Sequence, residues 1–114
     1  MRTSYAVGAA HVFASVSVGA SQLGDVKIFI HRTLTAAGPA PLIARDLGAG
    51  GDLIGKLMLV ETLATDVSGQ TNTLRVLTHL TGGPEPKDIP AEEEASAPNG
   101  SKLFRIFVLF KAGV

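Results

Sequence analysis

The chain has no cysteine and no tryptophan, and only one tyrosine and five phenylalanines. Without cysteine there is no disulfide framework, no thiolate metal site and no cysteine nucleophile. Few aromatic rings weaken the case for functions in which sugars or single-stranded nucleic acids stack on exposed rings. The core must therefore be mainly aliphatic, and 114 residues suffice for one domain with a core of its own.

Net charge and long apolar runs are also missing. Ten basic and ten acidic residues cancel, so nothing favours a nucleic acid or an anionic membrane as the partner. No run approaches the roughly 20 apolar residues of a membrane-spanning helix. The first twenty residues loosely imitate a secretory signal, but His11 and three serines interrupt them. We expect no nucleic-acid partner, no membrane span and no signal peptide, with a cytoplasmic or virion-like location favoured.

Short β-branched and aliphatic runs, separated by glycine and proline about every ten residues, dominate the pattern. Alternation over residues 11–18 predicts a strand with one core face, and residues 103–111, apolar on both faces, predict a central strand. Residues 56–65 and 73–81 are predicted to form a hairpin. The pattern predicts an all-β fold, an antiparallel β-sandwich of about seven strands, with residues 1–114 forming a single domain.

Two segments need separate treatment. Residues 52–65 also carry apolar side chains at helical spacing, so an α+β fold with one helix at about 52–65 is the alternative. Residues 82–101 contain four prolines, and five acidic side chains against one lysine give this segment a charge of about −4. Such a composition predicts a mobile, acidic, proline-rich loop.

Three histidines are the first candidate for chemistry. His11, His31 and His79 fall on three different predicted strands, which neighbouring strands could bring together as a polar cluster. A histidine-dependent enzyme is therefore one alternative function. No pattern predicts a catalytic residue, a metal ligand set or a cofactor, so an enzyme is less favoured than a binding or structural protein.

A glycine-rich loop is the second candidate. Gly50, Gly51 and Asp52 begin a segment that matches a phosphate-binding loop in part, but Leu57 stands where that motif has a serine or threonine. The same loop could bind a small ligand, as in a lectin-like carbohydrate binder. Carbohydrate is therefore a possible ligand, and a lectin-like ligand-binding module is the first alternative function, ahead of the histidine-dependent enzyme.

Surplus apolar side chains are the strongest positive feature. Six of them lie on strand faces opposite the predicted core, and we predict that they form an interface. They are Phe13, Phe29, Met58, Leu77, Phe107 and Leu109. The favoured function is a non-catalytic β-sandwich module that acts through self-association, as a homo-oligomer, or as a structural or decorating component of a larger assembly with a partner protein.

Overall fold

The computed structural model describes residues 1–19, 22–67, 73–94 and 100–113. Within these ranges nine strands form two packed sheets, and there is one short helix. In chain order the elements are β1 (Arg2–Val7), β2 (His11–Val18), β3 (Gln22–Ile30), β4 (Thr33–Pro39), β5 (Leu42–Ala49), α1 (Gly50–Leu53), β6 (Leu57–Asp66), β7 (Thr73–Thr81), β8 (Lys87–Glu94) and β9 (Ser101–Ala112). The predicted all-β sandwich is confirmed, with nine strands in place of about seven.

The sheets have five and four strands. The five-stranded sheet has the order β1-β9-β6-β3-β4, and the four-stranded sheet has the order β5-β2-β7-β8. Neighbouring strands run antiparallel except β1 and β9, which are parallel. Because β9 lies between β1 and β6, the prediction of a central strand at residues 103–111 is confirmed.

One aliphatic core lies between the sheets, because alternate residues of each strand point inward. The inward side chains of β9 are Phe104, Ile106, Val108 and Phe110, none more than 5% exposed. Met58, predicted to be an interface residue, is fully buried in this core. Its neighbours Leu57 and Leu59 hold the outward positions instead, since a shift of one residue moves a side chain to the opposite face of a strand.

The alternative helix at residues 52–65 is absent, and β6 occupies most of that segment. Every second residue from 58 to 66 is buried, whereas the intervening residues are more exposed, which is the period of a strand. The helical turn α1 ends before Gly55, whose φ of +82° interrupts a right-handed helix. The helical spacing of the apolar residues was therefore accidental.

The predicted hairpin of residues 56–65 and 73–81 is wrong, because its two strands lie in different sheets. β6 pairs with β3 and β9, whereas β7 pairs with β2 and β8. Alternation shows which face of a strand is buried but does not show which sheet the strand joins.

The segment 82–101 is only partly the loop that its composition predicts. Edge strand β8 lies within it, with Ile89 buried at 4% exposure. The edge position accepts Pro90, because an edge strand has one side free of ladder hydrogen bonds. Residues 95–99 lie outside the described residues.

A tight turn separates the end of β3 from the start of β4. His31 and Arg32 form the turn, with φ of +49° and +69°, and Ile30 pairs with Thr33 across it. Two left-handed residues in a two-residue connection are typical of a type I′ turn, which usually contains asparagine or glycine. Neither residue is present, so the sequence carries no turn signal.

Candidate functional site

An apolar stripe crosses the outer face of the five-stranded sheet. Cross-strand pairing aligns four of its side chains in one row and two in the next. The first row is Leu34, Phe29, Leu59 and Phe107, and the second is Leu57 and Leu109. We call these six residues the outer stripe. They come from four strands, β3, β4, β6 and β9, of which only β3 and β4 follow each other directly in the chain.

Much of the outer stripe is accessible. Leu34 is 53% exposed, Leu109 45% and Leu57 39%, and the other three side chains are half-buried. At the β1 end of the row, the guanidinium carbon of Arg2 lies 5.2 Å from the centroid of the Phe107 ring, a cation–π contact. Contiguous exposed apolar surface of this kind, with polar residues at its rim, is typical of a protein–protein interface.

A single charged row borders the stripe on the same face. Arg105 Nε donates to Glu61 Oε2 at 3.2 Å, and Lys27 pairs with Glu61 from the other side in the strand register. Beyond this row Leu63 and Leu103 are exposed at 43% and 45%, and Asp25 on β3 is the register partner of Leu63. On β6 and β9, the outer face of the five-stranded sheet therefore carries one charged row between apolar rows.

The outer face of the four-stranded sheet is polar by contrast. Three cross-strand side-chain hydrogen bonds join β7 to β8: His79 to Asp88, Arg75 to Glu92 and Thr73 to Glu94. These pairs engage three acidic side chains of the segment 82–101 within the molecule itself.

The six predicted interface residues divide among three locations. Phe29, Phe107 and Leu109 belong to the outer stripe. Phe13 and Leu77 lie on the outer face of the four-stranded sheet, where Phe13 is half-buried and Leu77 is 39% exposed. Met58, the sixth, is in the core. Sequence patterning missed the other three stripe residues, Leu34, Leu57 and Leu59.

The three histidines do not converge. His31 lies in the turn between β3 and β4, whereas His11 and His79 lie on the four-stranded sheet. His79 is opposite Ser15, four residues along β2 from His11, which corresponds to about 13 Å at about 3.3 Å per residue. A shared acid–base role is incompatible with this placement.

His11 has a local acidic partner instead. Its Nδ1 lies 2.9 Å from Asp46 Oδ2, and the backbone N–H of Gly48 donates to Asp46 Oδ1 at 2.8 Å. The hydrogen bond from His11, with that from Gly48, holds the pKa of the Asp46 carboxyl below its ordinary value. Both side chains are at least half exposed, as is common for a surface pair between neighbouring strands.

A row of Ser15, His79 and Asp88 has the residue types of a catalytic triad. The three are successive cross-strand partners on β2, β7 and β8, and His79 Nδ1 is hydrogen-bonded to Asp88. However, Ser15 Oγ accepts the backbone N–H of Ala44 at 2.9 Å, and within the described residues no hydrogen bond joins Ser15 to His79. The row therefore lacks the contact that would activate a serine nucleophile.

Packing accounts for the glycine-rich loop. The N–H of Gly50 donates to the carbonyl of Ala10 at 2.9 Å, and a Cβ at Gly50 would clash with the carbonyl oxygen of Gly8. Gly51 and Asp52 are exposed on the single turn of α1. The described ranges contain no group of three histidine, aspartate or glutamate side chains placed to hold a metal ion.

Comparison with known proteins gives no relative: no family model, no curated protein and no solved structure matches the chain. In the part of the chain that the structure describes, no helix has the length and apolar character needed to cross a membrane. The surfaces of the molecule itself are therefore the observations that bear on its function.

Proposed function

We propose that the chain is a non-catalytic assembly module that self-associates through the outer face of its five-stranded sheet. The outer stripe is the observation that carries this proposal, because six apolar side chains in two neighbouring rows gain nothing by facing water. Burying apolar area contributes roughly 25 cal/mol per Å². The module works as a free-standing oligomer or as the repeated unit of a larger assembly.

The face is large enough for a specific contact. Five strands about 4.8 Å apart and nine residues at about 3.4 Å each give a projected area of roughly 600 Å². The relief of the side chains raises the accessible area above that projection, so the face approaches the roughly 800 Å² per partner of a typical specific interface. A second copy can therefore cover most of the outer stripe together with Leu63 and Leu103.

The contrast between the two outer faces supports the same proposal. On the four-stranded sheet, outward charges are paired with each other, as Arg75 is with Glu92 at 3.4 Å. The outer stripe has no such polar cover, apart from Arg2 at one end. A monomer surrounded by water does not require this difference between its two outer faces. The difference is expected in a subunit that buries one face in a contact and exposes the other face to solvent.

Light scattering coupled to size exclusion tests the proposal. We expect a mass of at least two chains, that is at least twice 11.8 kDa, at high micromolar concentration, and a decrease towards one chain on dilution, since association follows mass action. A strict monomer at every concentration up to the high micromolar range would contradict the proposal.

A further inference from the structure

Two neighbouring inner strands of the contact face, β6 and β9, are matched row by row. Each outward-facing residue of β6 is paired in the register with a β9 residue that is of the same kind or carries the opposite charge. The five rows are Leu57 with Leu109, Leu59 with Phe107, Glu61 with Arg105, Leu63 with Leu103, and Thr65 with Ser101. Three rows are apolar, one is an ion pair and one is a pair of hydroxyls.

A face-to-face contact between two copies related by a two-fold axis requires this matching of β6 with β9. An axis that runs along the strands, midway between β6 and β9, places β6 of one copy over β9 of the other, so each row meets its own complement. Apolar side chains then face apolar side chains in three rows. In the fourth, Glu61 of each copy faces Arg105 of the other, which gives two reciprocal ion pairs across the interface.

At the rows of β6 and β9, two other two-fold axes in the plane of this face fit less well. An axis along the strands between β6 and β3 places Leu63 over Asp25, because these two residues are partners in the register. An axis across the strands at the charged row places Glu61 over Glu61 and Arg105 over Arg105. Each of these arrangements buries a charge against an apolar or like-charged group, which is unfavourable.

We propose that two copies stack face to face about the axis between β6 and β9, with Glu61 of each copy paired to Arg105 of the other. This arrangement rests on the proposed self-association, and the partner is a second copy of the chain in one defined orientation. Sheets stacked in this way keep their strands nearly aligned, as in the packing inside a β-sandwich. Lys27 lies one strand beyond Glu61, outside the matched pair of strands.

Charge reversal with mixing tests this orientation. Glu61→Arg leaves only positive charge in the matched row, and Arg105→Glu leaves only negative charge there. We expect each variant alone to associate at least about a hundredfold more weakly than the unmodified chain, because like charges then face each other. An equimolar mixture should recover association to within about tenfold of the unmodified chain, with heterodimers identified by native mass spectrometry.

Two further variants separate orientation from folding. The double variant Glu61→Arg with Arg105→Glu restores the ion pair within each copy and between copies, so it should associate like the unmodified chain. Lys27→Glu should associate at least as tightly as the unmodified chain, whereas an axis between β6 and β3 would make it dissociate. Circular dichroism and thermal unfolding show whether each variant retains the fold.

The outcomes distinguish the two proposals. If the unmodified chain is monomeric, the proposed self-association is wrong and the orientation falls with it. If the unmodified chain associates but the mixture of Glu61→Arg and Arg105→Glu remains monomeric, or Lys27→Glu dissociates, only the proposed orientation is overturned. The inference is supported if the mixture and the double variant associate while each single variant does not.

Discussion

Leu109→Asp is expected to weaken self-association at least about thirtyfold, the effect of losing roughly 2 kcal/mol of binding free energy. Leu109 is 45% exposed in the free chain and lies in the outer stripe, opposite Leu57 in the strand register. In the proposed dimer a carboxylate at this position faces apolar side chains with no cation in its row. A charge buried without a partner is costly, so the variant should dissociate at concentrations at which the unmodified chain associates.

A matched variant on the other face provides the control. Leu77→Asp makes the same change at a position of similar exposure, 39%, on inner strand β7 of the four-stranded sheet. We expect its association to stay within about threefold of the unmodified chain, since this face takes no part in the contact. Sedimentation velocity over a concentration series measures both variants. Equal weakening by the two changes would show that the outer stripe is not the contact surface.

Phe110→Ala is expected to lower the free energy of unfolding by about 3–5 kcal/mol, the usual cost of removing a buried phenylalanine. Phe110 is 1% exposed, among the largest fully buried side chains of the core. Domains of this size are typically stable by only about 5–15 kcal/mol. The variant should therefore lose a large part of its stability, measured by urea unfolding at a concentration low enough to keep the chain monomeric.

Phe107→Ala is the control for that measurement. Phe107 lies on the same strand but points outward into the outer stripe, where it is half-buried. At low concentration its removal should cost clearly less than the removal of Phe110, because part of the Phe107 side chain stays in water when one chain folds. If the two variants were equally destabilised, the assignment of inward and outward faces of β9 would be incorrect.

Much of the fold follows from local patterning. Alternation in residues 11–18 predicted the buried side of β2, with Val12, Ala14 and Val16 all inaccessible to solvent, and two apolar faces predicted the central position of β9. Both rest on the period of two that a half-buried or fully buried strand imposes on its side chains. Local patterning did not give the sheet to which each strand belongs, because that depends on contacts between distant segments.

The contact face shows the same limit. Phe107 and Leu109 were identified because they stand opposite the core side of an otherwise apolar strand. Leu57 and Leu59 were missed because Met58, between them, was assigned to the outward face. Leu34 follows a turn that carries no glycine or asparagine, so its strand was not separated from β3. The outer stripe becomes visible only once the register of four strands is known.

A dilution series followed by leucine methyl NMR tests the central claim most directly, that the chain associates through one face of the sandwich. We predict that the methyl signals of Leu57, Leu59 and Leu109 change with protein concentration, while those of Leu77 on the opposite face and Leu80 in the core do not. Signals that are all independent of concentration, or a concentration dependence centred on Leu77, would contradict the account.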